Sequence, residues 1–113
     1  MATSELEVAV RDDGGVPVID LLGDVNSSAE ATLMEAYAQA VAGGPRAVSL
    51  NFAGTEYINS TGIALIVGLL AQARTQDIEV RATGLSDHYR EIFEITRLAD
   101  FVALHANEAS AVA

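Results

Sequence analysis

The 113 residues are half hydrophobic and carry 16 acidic against 6 basic side chains, for a net charge of −10. That length supports one core and one domain over residues 1–113, and that charge repels nucleic-acid phosphates and anionic membrane surfaces, so no nucleic acid and no membrane is expected as partner. The absence of cysteine excludes disulfides, thiol nucleophiles and cysteine-based zinc sites.

The start, Met1-Ala2-Thr3-Ser4-Glu5, has neither the basic stretch nor the apolar core of a signal peptide. No apolar run approaches the roughly 20 residues of a bilayer span. A cytoplasmic protein is therefore expected.

Leu6 to Arg11 alternate in the manner of a half-exposed strand, and Asp12-Asp13-Gly14-Gly15 reads as a turn into a more buried strand over Val16–Leu22. Pro17 cannot donate to a ladder and belongs at the strand start or on an unpaired side. Gly23-Asp24-Val25-Asn26 should turn the chain into a helix over about 28–42, with Ser27 and Glu30 as a capping box. Leu33, Tyr37, Ala40 and Val41 share one face of that helix, and Gly43-Gly44-Pro45 ends it.

An apolar strand over 46–52 then leads through a short loop to a helix predicted over 60–74. A third unit follows: a strand at Ile78–Ala82, a helix over 86–96 whose inner stripe is Tyr89, Ile92, Phe93 and Thr96, a short strand near Phe101–Leu104 and a last helical turn or two after Asn107. Strands alternating with helices after an opening hairpin imply an α/β domain with a small mixed, mostly parallel sheet of four to five strands and three to four helices.

The segment Tyr57-Ile58-Asn59-Ser60-Thr61-Gly62-Ile63-Ala64 carries the most information. Two adjacent hydroxyls and a glycine stand where a strand gives way to a helix. There the first backbone N–H groups lack partners and the helix dipole is positive. Such a point can hold a phosphate, on a ligand or on the serine itself. The local chemistry is also met by Asn59 or Ser60 serving merely as the N-cap.

Spacing residues by about 100° places Ile63, Ile66, Val67 and Leu70 toward the sheet and leaves Leu65 and Leu69 on another side. Those two leucines are either covered by further structure or form an apolar partner-binding patch beside Ser60. Neither His88 nor His105 has a nucleophile or carboxylate at a recognisable spacing. GxxxxGK[ST], GxGxxG and HExxH are all missing. Catalysis has no support, and no metal or cofactor is implied.

The run from Leu50 to Ile63 resembles the signature of the STAS domain family: a strand, a short loop, then apolar-Asp-Ser-Ser/Thr-Gly. Leu22–Ala29 is similar to that family's Gly-Glu-Leu-Asp element, and Ile92–Leu98 to its last helix. The resemblance covers nearly the whole chain. It implies a stand-alone anti-sigma factor antagonist that binds an anti-sigma factor serine kinase and releases a sigma factor in a stress response. It further implies phosphorylation at Ser60, with Thr61 as the lesser candidate, and resetting by a metal-dependent serine/threonine phosphatase.

The implied partner-binding residues are Asp24, Asn26, Asn59, Ser60, Thr61, Gly62, Leu65 and Leu69. Asn59 and Asn26 stand where the family usually has acids. Two other readings stay open: a STAS scaffold or transporter-associated subunit that binds without phosphorylation, and a nucleotide-binding module using the N–H groups of Thr61, Gly62 and Ile63.

Overall fold

The computed structural model describes residues 5–113, so the signal-peptide expectation for Met1–Ser4 lies outside the described residues. Its elements are β1 (Glu7–Asp13), β2 (Val16–Val25), α1 (Glu30–Val41), β3 (Ala47–Asn51), β4 (Thr55–Ile58), α2 (Ser60–Thr75), β5 (Glu79–Thr83), α3 (Asp87–Ile95), β6 (Ala103–Leu104) and α4 (Glu108–Ala111). Single 3-10 turns at Ser27–Ala29 and Leu98–Asp100 precede α1 and β6.

The strands lie in the order β1-β2-β3-β5-β6, with β4 also beside β2. Among the described residues only β1 and β2 pair antiparallel. Their hairpin closes on Gly14 and Gly15, with φ of 63° and 91°. Both values are positive, as a two-residue turn matched to strand twist requires.

Ile19 and Leu21 of β2, Val48 and Leu50 of β3, and Val80 and Ala82 of β5 face one side of the sheet, where α1 and α2 pack. They join Leu33, Tyr37, Ile66, Leu69, Phe52 and Phe93 in a single core. Phe52 and Phe93 meet edge to face with ring centroids 6.0 Å apart, which anchors α3. Of the stripe predicted for α3, Phe93 alone is buried, Tyr89 and Ile92 are half-buried, and Thr96 is exposed.

The opposite face is more polar. Arg11 Nε donates to Asp20 Oδ2 at 2.8 Å, and Asn51 Nδ2 donates to Asp20 Oδ1 at 2.8 Å. The short α4 is tied to this side by Arg11 Nη1 to Glu108 Oε2 at 2.8 Å and by Arg81 Nη1 to the carbonyl of Ala111 at 2.8 Å.

Several expectations need correction. The chain does not turn at Gly23; β2 runs on to Val25 across a register shift between Gly23 and Asp24. Gly23 takes up the irregularity at φ 107°. The presumed loop after β3 contains β4, whose Thr55, Tyr57 and Ile58 pair with Gly23, Asp24 and Val25. The sheet thus has six strands rather than four or five. Four residues without clear alternation gave no signal for β4.

Ser27 is not the helix cap either. Asn26 Oδ1 accepts from the N–H of Ser28 at 3.0 Å and from its hydroxyl at 2.6 Å, opening the 3-10 turn that leads into α1.

The buried face of α2 departs most from the 100° spacing. Its buried residues are Gly62, Ile66, Leu69, Leu70 and Ala73. Leu69 is 0% exposed and Leu65 half-buried, whereas Val67, assigned to the sheet side, is 45% exposed. The reason is packing on two fronts, because α2 touches α1 and the Ser27–Ala29 turn as well as β2, β4 and β5. The apolar arc is therefore rotated toward α1. Leu69 belongs to the core and is removed from the partner-binding set.

Candidate functional site

The end of β2, the end of β4 and the start of α2 converge. Register alone brings Asp24 beside Tyr57 and Val25 beside Ile58, so Asp24 and Asn26 neighbour the segment that ends in Asn59. Asn59 is extended (φ −91°, ψ −178°), and its Oδ1 accepts from the N–H of Gly62 at 2.8 Å. Its carbonyl accepts the first intrahelical bond from Ile63 at 2.9 Å. Asn59 is thus the N-cap.

Ser60 is the first helical residue. It and Thr61 are exposed, while Gly62 is buried beneath them. The capping pattern uses the N–H groups of Gly62 and Ile63. Two of the three donors that a nucleotide-binding module would need are therefore occupied.

Two contacts fix the junction. The N–H of Asn59 donates to the carbonyl of Val25 at 3.2 Å. On the other flank the N–H of Ile58 donates to the Tyr89 hydroxyl at 2.9 Å, tying α3 to the residue before the cap. Nothing local announces Tyr89 in this role, because it lies 31 positions beyond Ile58 in the chain.

Asp24 is 7% exposed, and Tyr57, its neighbour across the strand pair, is 56% exposed. The site is an edge of the sheet carrying two accessible hydroxyls, a buried carboxylate and an exposed aromatic. Among the described residues no cluster of His, Cys, Asp or Glu could hold a metal ion. No described helix is long and apolar enough to cross a membrane.

Asn26 and Asn59 do the same local work with the same atom. Each Oδ1 accepts a backbone N–H at the start of a helical segment. An aspartate would supply an equivalent acceptor plus a charge. The family's acids are thus replaced without loss of the caps.

Comparison with known proteins agrees with this architecture. The family model described as "Mlab, STAS domain" matches residues 8–104. A Staphylococcus aureus protein named anti-sigma-B factor antagonist is 38% identical over 69 residues, covering 61% of this chain and 62% of its own length. The chain therefore matches less than two thirds of that relative.

Among solved structures, an anti-sigma factor antagonist from Mycobacterium paratuberculosis superposes with a TM-score of 0.81 at 18% identity, over 96% of this chain and 92% of that one. The phosphorylated form of the Bacillus cell fate determinant SpoIIAA gives 0.69 at 17% identity, over 92% and 96%. At these identities the likeness is one of fold. With the family match spanning most of the sequence, the chain belongs to the STAS domain family.

Proposed function

We propose that this protein is an anti-sigma factor antagonist: a binding protein, not an enzyme, whose Ser60 edge docks on an anti-sigma factor and so frees a sigma factor. The observation that carries the reading is the placement of Ser60, exposed at the first turn of α2 on a junction held by Asn59, Gly62 and Val25. The name of the Staphylococcus aureus relative supports the same role.

In this reading Ser60 is the phosphorylated residue, Thr61 the lesser candidate, and the kinase is the anti-sigma factor itself. A metal-dependent serine/threonine phosphatase reverses the step. The phosphate adds about −1.5 to −2 charges to a chain already at −10, enough to reject a docked partner without remaking the fold. The helix N-terminus offsets about 0.3–1 kcal/mol of that charge. Asp24, Asn26, Asn59, Gly62 and the half-buried Leu65 complete or support the contact surface.

A second reading, a scaffold or transporter-associated subunit that binds without phosphorylation, is favoured by one observation. Asn59 and Asn26 remove both carboxylates next to the acceptor.

The test is incubation with the cognate anti-sigma kinase and ATP, followed by mass spectrometry. Phosphate on Ser60, with binding lost, supports the switch. Phosphate confined to Thr61 refutes the Ser60 assignment. Tight binding with no phosphate at all selects the second reading.

A further inference from the structure

Among the described residues β4 pairs with β2 alone, so its outer edge faces no strand. Successive N–H groups along a strand point to opposite sides. The N–H of Asn59 goes to β2, at the carbonyl of Val25, and that of Ile58 therefore points to the unpaired side. Ile58 is 4% exposed, and a buried N–H without an acceptor is destabilising. Its acceptor is the Tyr89 hydroxyl at 2.9 Å.

That hydroxyl reaches across a gap. A cavity of about 170 Å³ lies between the outer side of β4 and the start of α3, lined in part by Thr55, Glu56, Ile58, Leu85, Ser86 and Tyr89. Among the described residues the bond from Ile58 to Tyr89 is the one hydrogen bond that joins α3 to β4.

The side chain that spans the gap is held from behind. Ser86 caps α3, its Oγ accepting from the N–H of Tyr89 at 3.3 Å. One turn further on, Phe93 packs edge to face on Phe52. Ahead of the helix, Gly84 (φ 77°) comes so close to the loop between β3 and β4 that a Cβ would stand 2.5 Å from the nitrogen of Ala53. Tyr89 thus projects from a helix start already seated against the loop that leads into β4.

Two consecutive N–H groups are therefore anchored on opposite sides, that of Ile58 to α3 and that of Asn59 to β2. Ser60 is the next residue. With the chain pinned on both flanks just before it, the direction in which the first turn of α2 leaves the sheet is set by both neighbours together.

We propose that Tyr89 is a positioning residue for the docking edge: its hydroxyl takes the place of a neighbouring strand on β4 and holds Ser60 and Thr61 in the orientation a partner meets. The hold on the edge follows from the geometry alone. Its consequence for docking rests on the antagonist reading. A loosened edge has to be ordered on contact, which lowers affinity relative to a preformed one.

The experiment is Tyr89→Phe, which removes one oxygen and keeps the ring. Amide hydrogen exchange and NMR shifts of the free protein, urea denaturation, and affinity for the cognate anti-sigma factor are compared with those of wild type and Val48→Ala. Val48 is fully buried near the start of β3, away from the Ser60 edge, so its truncation gauges what a general loss of stability does.

In Tyr89→Phe the amide of Ile58 should exchange at least about tenfold faster, the amides of Ser60 and Thr61 should shift, and affinity should fall about tenfold. Val48→Ala should lower stability by at least as much yet leave affinity within about twofold, because it shares no partner with the edge.

An Ile58 amide unchanged in Tyr89→Phe, an affinity unchanged in that variant, or equal losses of affinity in both variants overturns the proposal. Should the wild type itself bind no anti-sigma factor, the antagonist reading fails instead. The exchange at Ile58 and the shifts at Ser60 and Thr61 then still decide whether Tyr89 holds the edge.

Discussion

A Cβ built on Gly62 would stand 2.0 Å from the carbonyl oxygen of Val25 and 2.7 Å from its carbonyl carbon. The first turn of α2 therefore rests directly on the end of β2, and only glycine permits the approach. Because the obstacle is backbone, no side-chain rotation relieves it.

Gly62→Ala should accordingly destabilise the protein by about 3 kcal/mol, the upper part of the overpacking range. For a domain of this size that is a fall in Tm of roughly 10 °C or more. Urea denaturation gives the free energy directly. A loss below about 0.5 kcal/mol, the ordinary surface value, would mean that the junction adjusts freely.

The cap at Asn59 separates local structure from partner chemistry. Asn59→Ala removes the acceptor for the Gly62 N–H and should cost about 1 kcal/mol. Asn59→Asp keeps that acceptor and adds a charge favourable at a helix N-terminus, so stability should hold or rise slightly. Under the proposed switch at Ser60, the same aspartate should speed modification of Ser60 by the cognate anti-sigma kinase. Parallel melts and phosphorylation time courses on the two variants separate these effects.

Much of this architecture was legible because local rules agreed. Gly14-Gly15 for the hairpin, Gly43-Gly44-Pro45 for the end of α1, and the hydroxyl-glycine junction before α2 each announce themselves over a few residues. What stayed hidden depended on tertiary contacts. The pairing of β4 with the end of β2 reaches across more than 30 residues, and so does the bond from Ile58 to Tyr89. The rotation of α2 was hidden because the helix is apolar nearly all round. With Ile63, Leu65, Ile66, Val67, Leu69 and Leu70 all available, periodicity could not decide which of them faces outward.

Leu69 and Val67 report the orientation of α2 directly. Leu69→Ala should cost about 2–5 kcal/mol, as truncation of a fully buried leucine does. Val67→Ala should change stability by less than about 0.5 kcal/mol, the usual scale for an exposed site. Equal losses from the two, read from chemical denaturation with unchanged m-values, would contradict the orientation of α2.

The attachment of α4 should respond to acid in two opposed steps. Hydrogen bonding from Arg11 holds the Glu108 carboxyl down at about 2, whereas hydrogen bonding to Glu108 raises that of Asp13 above its ordinary value. Asp20 is lowered, chiefly by its hydrogen bonds from Arg11. As pH falls from neutral, Asp13, raised beside Glu108, takes up its proton earlier than an ordinary aspartate, so its contribution is gained at low pH and lost as pH rises. Glu108 acts in the opposite direction: its contribution is complete above its ordinary value of 4.5 and is lost as pH drops toward about 2. Docking of α4 should therefore persist through mild acid and loosen only between about 4.5 and about 2. Glu108→Gln should abolish that late loss, and Asp13→Asn should remove the early gain while leaving the late loss in place. Amide hydrogen exchange at residues 108–112, followed across a pH series and corrected for intrinsic rates, reads the docking directly. Early release of α4 in mild acid in the wild type, or a late loss unchanged in Glu108→Gln, would show that the Arg11–Glu108 pair does not hold this helix to the sheet.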